Sequence, residues 1–277
     1  MLKSLSRTQS QSFQRLLHQN TTFRIRNEEI RSDEEVARFR PGQWFNDQII
    51  NAYGLYLAVR FPDCIIVHTM TTSLLTTNMD GIPSRNFMRN HPLDGKRYVF
   101  FPTNLNNTHW VLGVYHVPAR TVVIYDSMGG GAISNQHVHQ MVRAVETWSG
   151  QAVLSREIRG LGIQNDGYNC GPFVLSMMEC LCHDKNLLQT LGGPPTTRRS
   201  INHFRKRILV RLWQDTCRHN GAHQCRGTTL RGTPCLLQSC QHPTAPYLCR
   251  HHLHQPLSPP AMTVDSSDDD EVVVVED

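Results

Sequence analysis

The chain has 277 residues, enough for one domain of about 200 residues with a sizeable buried core, plus appendages. Its hydrophobic content of 39% is ordinary for a globular protein, no apolar run approaches the ~18 residues of a membrane span, and a formal charge of +5 is too mild to argue by itself for nucleic acid. The nine cysteines fall into two groups and make an odd number, which speaks for metal ligands, nucleophiles or packed thiols in a reducing compartment rather than for a disulfide framework.

Residues 1–22 are rich in Ser, Gln and Arg and lack the apolar core of a secretory signal, so they read as a flexible lead-in to an intracellular protein. Residues 23–217 are globular in pattern. "QWFNDQIINAYGLYLAVRF" places Ile49, Ile50, Tyr53, Leu57 and Phe61 at helical spacing, with Asn46 or Asp47 as N-cap. "RYVFFPTNL", "HWVLGVYHV" and "TVVIYDSM" read as strands, rich in Val, Tyr and Phe. "PFVLSMMECLCHD" and "INHFRKRILVRLWQD" read as helices, and the basic stretch "RRSINHFRKR" as a solvated helix face rather than a nucleic-acid site. Residues 218–254 are dense in Cys and His, and 255–277 form a Pro, Ser and acidic tail.

Two of the strands carry a His and an Asp that one turn can bring together. Val117 and Arg120 bracket a tight turn at Pro118 and Ala119, a pairing that sets Val111 opposite Asp126. His109 shares a face with Val111, because side chains alternate along a strand. His109 and Asp126 then lie diagonally across the hairpin, roughly 7–8 Å apart between backbones and within side-chain reach. A loop of odd length would separate them. An aspartate at the end of such a strand is costly to bury without a partner, and a histidine is the natural one.

"QNDGYNCGPFVLSMMECL" then supplies a nucleophile. Cys170 stands at the start of an apolar helix, where the helix N-terminus favours a thiolate. Pro172 is tolerated in the first turn, and Gly171 allows a substrate backbone to approach closely. His109 would act as the base, Asp126 would orient the imidazole, and Gln164 with the Cys170 backbone N–H would donate to an oxyanion. Each residue alone has a plain structural alternative: a core thiol, a strand histidine, an Asp-Ser turn. The ordered set on suitable elements is what carries the chemistry.

These segments, with "PGQWFNDQIINAYGLYL" and the closing helix, resemble the ubiquitin-like-protease family of cysteine peptidases, the SUMO-specific (sentrin/Ulp) proteases, over about residues 23–215. The resemblance implies an α+β, papain-like cysteine peptidase fold, a central mixed sheet flanked by helices. It assigns His109, Asp126 and Cys170 as a triad and Gln164 to the oxyanion hole. It implies cleavage after the Gly-Gly tail of SUMO or another ubiquitin-like protein, with Trp44, Trp110, Asp47 and Gly171 contacting substrate. Two indoles facing each other leave a slot that only glycines pass. The family often has leucine after the first tryptophan, where this chain has Phe45, and residues 65–97, which match poorly, are expected to carry substrate contacts.

Beyond the peptidase region, "CRGTTLRGTPC" and "YLCRHH" resemble a short viral and phage Cys/His motif. Cys225, Cys235, Cys249 and His252 would suit a closed tetrahedral structural zinc site, with Cys217, His219, His223, Cys240 and His242 as rival ligands. The alternative is a flexible His-rich linker. In the disordered acidic tail, "DSSDDDEVVVVED" resembles a SUMO-interaction motif, Val272, Val273, Val274 and Val275 adding a strand to a sheet edge between acidic flanks. No cofactor is expected for catalysis, nor a membrane or nucleic-acid partner, and the nucleus is expected ahead of the cytoplasm. Rival readings are a viral-type maturation protease, an acetyltransferase using the same Cys-His-acid set, and a SUMO-binding adaptor.

Overall fold

The apolar strand runs become the centre of a five-stranded sheet in a computed structural model that describes residues 11, 13–14, 23–25, 28–30, 34–78, 81–129, 131–158, 164–183, 198–219, 223–224 and 238–239. The chain divides into two units, Met1–His219 and Asn220–Asp277. The first opens with an antiparallel pair, β1 (Phe23–Ile25) and β2 (Glu28–Ile30), then α1 (Glu34–Ala37) and α2 (Asp47–Arg60). Strand β3 (Cys64–Ile66) is followed by α3 (Thr69–Thr77) and α4 (Ile82–Asn90). Next come β4 (Tyr98–Leu105), β5 (His109–His116), β6 (Thr121–Tyr125), α5 (Gln136–Ser149) and β7 (Leu154–Ile158). Helices α6 (Cys170–His183) and α7 (Arg198–His219) close the unit.

The sheet order is β3-β4-β5-β6-β7; the two inner pairs are antiparallel and the two outer pairs parallel. Alternation along the strands divides the core in two. Tyr98, Phe100, Leu112, Val114, Val123 and Tyr125 pack with α2, α6 and α7, whereas Val99, Phe101, Val111, Tyr115, Val122 and Ile124 pack with residues of α3 and α5. Burying each such side chain contributes about 1.5–3 kcal/mol. A one-residue slip would turn both sets over, so the register is strongly held. This is the α+β mixed-sheet layout expected from the sequence. Among the described residues no helix is long and apolar enough to cross a membrane.

Local chemistry explains several boundaries. Asn46, not Asp47, caps α2: its side-chain oxygen accepts from the Ile49 amide at 3.2 Å. Helix α5 lies so close to β5 that a Cβ at Gly113 would run into the Met141 sulfur, and Gly150, at φ +67°, ends the helix in the left-handed region. In the second unit β8 (His223–Gln224) pairs antiparallel with β9 (Gln238–Ser239). Cys225, Cys235, Cys249, His252 and Val272 to Val275 lie outside the described residues.

One expectation is corrected. The basic stretch of α7 is not simply a solvated face, because Arg205 is fully buried and Lys206 stacks on the Phe13 ring. Hydrogen-bond acceptors around the guanidinium, described below, allow a charge that composition alone would put in water.

Candidate active site

The β5–β6 hairpin pairs Leu112 with Tyr125 and His116 with Thr121, the register read from its turn. The Arg120 amide donates to the Val117 carbonyl at 3.2 Å, and Arg120 takes a left-handed φ of +50°. At the open end of the hairpin, His109 Nε2 and Asp126 Oδ1 are 2.7 Å apart. The same carboxylate oxygen accepts from the Met128 amide at 2.9 Å, so Asp126 is held by its own turn as well as by the ring. The other ring nitrogen, Nδ1, is buried without a well-formed hydrogen bond. Burial alone would lower the His109 pKa. The Asp126 hydrogen bond, the proximity of Cys170 and the charges of both override it and hold the imidazolium up to about 9. The pair therefore carries a proton across the neutral range.

Cys170 is the first residue of α6, is buried, and is a free thiol. The Asn169 carbonyl accepts from the Phe173 amide at 3.0 Å, which makes Asn169 the residue flanking the helix start. The Cys170 N–H thus belongs to the first turn, where amides have no partner within the helix. Gly171 has a need besides any substrate. A Cβ there would sit 2.9 Å from the Phe45 Cβ and 3.5 Å from Trp110 Cδ1, so the missing side chain lets α6 pack against the segment that follows Trp44.

Gln164 is buried beside the Asp126 turn. Its Oε1 accepts from the Ser127 hydroxyl at 2.8 Å and its amide donates to the Ser127 carbonyl at 2.6 Å. Its side-chain nitrogen donates to the Asp166 carbonyl and faces the Asp166 carboxylate at 3.4 Å. Both side-chain N–H directions are thus turned to Asp166. Asp166 in turn accepts from the amides of Tyr168 (3.2 Å) and Asn169 (3.0 Å) and from Asn169 Nδ2 (2.7 Å). The loop ahead of Cys170 is wound around one carboxylate, which composition alone does not reveal.

The two tryptophans line one cleft of about 570 Å³, together with Asp47, Met70 and Asn107. They differ in setting. Trp110 is buried and donates its indole N–H to the Phe45 carbonyl at 3.0 Å, whereas Trp44 is 41% exposed. Asp47 is exposed in the first turn of α2. The poorly matching segment after Ile65 supplies α3, whose Thr69, Met70, Ser73 and Thr76 also line the cleft. Arg205 and Asn169, both fully buried next to these elements, are what sequence reasoning missed. A cation amid the apolar positions of "INHFRKRIL" was the available signal. Among the described residues no group of three or more His, Cys, Asp or Glu side chains is placed to hold a metal ion.

The C-terminal catalytic domain model of the Ulp1 protease family matches residues 43–212. The chain is 26% identical over 184 residues to human Sentrin-specific protease 8, covering 60% of this chain and 86% of that protein. It is 26% identical over 193 residues to NEDD8-specific protease 1 of Arabidopsis thaliana, covering 60% and 81%. Among solved structures, the C-terminal Ulp1 protease domain in complex with Smt3, the yeast ortholog of SUMO, superimposes with a TM-score of 0.62 at 20% identity over 78% of this chain and 98% of that one. At that identity the likeness speaks for the fold.

Proposed function

The chain belongs to the Ulp1 protease family of cysteine peptidases, and from that premise we propose that it cleaves the peptide or isopeptide bond after the diglycine tail of SUMO or a related ubiquitin-like protein. The observation that carries the reading is the His109–Asp126 pair acting on a thiol at the N-terminus of α6, beside a cleft walled by two tryptophans.

In this reading Cys170 Sγ attacks the carbonyl carbon of the terminal glycine, and the C–N bond breaks as His109 gives its proton to the leaving amine. A thioester remains. Water, deprotonated by His109, hydrolyses it and returns the thiol. Asp126 keeps the imidazole oriented through both steps and stabilises it whenever it carries the proton. The Cys170 backbone N–H is the oxyanion donor that the helix start offers, and Gln164 joins it by turning its amide away from Asp166. Trp44, Trp110 and Asp47 would receive the tail, with the indoles excluding side chains. Cys225, Cys235, Cys249 and His252 as zinc ligands, and Val272 to Val275 as a contact for SUMO, remain proposals that enter no step of the cleavage.

Vinyl-sulfone derivatives of SUMO, NEDD8 and ubiquitin test the reading. The wild-type protein should form a covalent adduct with SUMO or NEDD8, and Cys170→Ala should form none while still binding. Absence of any adduct, or an adduct that survives Cys170→Ala, overturns it.

A further inference from the structure

Arg205 lies on α7 with its side chain fully buried. An arginine this deep normally faces a carboxylate. Here the five N–H groups all end on neutral acceptors. Nε donates to Asn169 Oδ1 at 2.8 Å. Nη1 donates to the carbonyls of Arg38 (2.8 Å) and Arg40 (3.1 Å). Nη2 donates to the carbonyls of Gln43 (2.5 Å) and Tyr168 (2.9 Å). The rings of Phe45 and Tyr168 flank the cation, with centroids at 4.6 and 5.5 Å.

The acceptors form two groups. Arg38, Arg40 and Gln43 belong to the segment that delivers Trp44 and Phe45. Tyr168 and Asn169 immediately precede Cys170. We propose that Arg205 is a positioning residue for the cleavage: its planar fork ties the Trp44 segment to the start of α6 and so holds the thiol in register with His109 and with the wall of the cleft. The inference rests on Cys170 being the nucleophile.

Guanidinium is the group this task needs. Lysine has three donors on a single atom and cannot serve five acceptors. Any carbonyl left unpaired in so buried a place would draw the loop away. Burial lowers the Arg205 pKa to about 10, against the favourable effects of Tyr168, Asp166 and Cys170, so the cation persists at neutral pH.

The test compares wild type, Arg205→Lys and Asn169→Ala as full-length proteins. Four quantities are read: kcat and KM on a SUMO C-terminal fluorogenic reporter, the pH profile of Cys170 alkylation by iodoacetamide followed by peptide mass spectrometry, and Tm. Arg205→Lys should lower kcat by about ten- to a hundredfold, the cost of a small misplacement of a reacting group. Its Cys170 should alkylate more slowly than wild type at neutral and mildly acid pH, because a thiol displaced from His109 loses the imidazolium that favours the thiolate. Asn169→Ala removes the Nε arm together with the Asn169–Asp166 bond and leaves the four carbonyl arms, so it should lower kcat with little change in KM. Wild-type kcat and profile in folded Arg205→Lys, with only Tm reduced, overturn the proposal. Should Arg205→Lys not fold, Asn169→Ala decides by the same two readouts. If wild-type Cys170 reacts no faster than Cys180, the nucleophile reading itself fails, a result separate from either variant.

Discussion

Helix α7 meets the rest of the domain through two arginines with opposite kinds of partner. Arg211 donates to Glu179 Oε1 at 2.5 Å and to the Tyr53 hydroxyl at 2.7 Å, and that hydroxyl donates to Glu179 Oε2 at 2.8 Å. Among the described residues Arg205 donates to no carboxylate. Around Arg211 the charges cancel: burial would raise the Glu179 pKa, but the charge of Arg211 first, and then that of Arg207, pulls it down. Such a closed pair fixes two helices and asks nothing of the chemistry. Around Arg205 the acceptors are backbone carbonyls and one amide, so the contact specifies the path of two loops. The same residue type thus serves stability in one place and geometry in the other.

Substitutions can break or sharpen that contrast. The largest effect is expected at the site end. Asp126→Asn keeps the shape of the side chain but disturbs the imidazole tautomer, an effect of up to about 10⁴ in a serine protease and smaller for a thiolate already paired with imidazolium. Tm near neutrality should move far less than kcat. The two effects differ with pH. His109 titrates at about 9 in the fold, above its ordinary 6.5, so its stabilising share is fully present below pH 6.5 and is lost as pH rises through about 9. Wild-type activity should therefore fall on an alkaline limb near pH 9, and in Asp126→Asn that limb should move to lower pH. An unmoved limb would mean that Asp126 does not hold the proton.

Glu179→Gln should do the reverse. It leaves Arg211 without its carboxylate and costs about 3 kcal/mol, the low end for a broken buried pair because the arginine keeps some access to water. Denaturant unfolding should show the loss, while kcat/KM of the folded fraction stays at the wild-type value. A fall in kcat/KM would erase the distinction between the two arginines. Gly171→Ala sits between the regions and should cost about 1–3 kcal/mol, as the new methyl meets the Phe45 Cβ, which is fixed to the backbone and cannot swing aside. Its activity should fall modestly through the shifted Trp110 wall. A Tm equal to wild type would show that α6 can move there freely.

Much of the site was legible because its parts are local. The His109–Asp126 geometry follows from a short turn and the period-two alternation of two apolar strands. Helix α5 has no counterpart among the elements expected from the sequence, although Val138, Met141, Ala144 and Val145 lie buried at helical spacing. Helix α3 is harder, since five threonines in nine residues disfavour a helix and packing of Thr72, Leu75 and Thr76 decides it. Strand β7, "LSREI", owes its place to parallel pairing with β6 rather than to an apolar run. The role of Arg205 was illegible for a different reason. Its acceptors are carbonyls, which every residue has, and they come from distant parts of the chain.

That distance has a consequence for the order in which the site can be built. His109 and Asp126 close a loop of 17 residues, whereas Arg205 reaches 36 residues back to Asn169 and 167 back to Arg38. Closing the longest loop costs about 2 kcal/mol more chain entropy than closing the shortest. The acid–base pair is thus within reach of a single emerging hairpin, while the thiol acquires its aim only when the last helix docks. A chain interrupted before α7 would hold a charged imidazole and a cysteine with nothing to set one against the other.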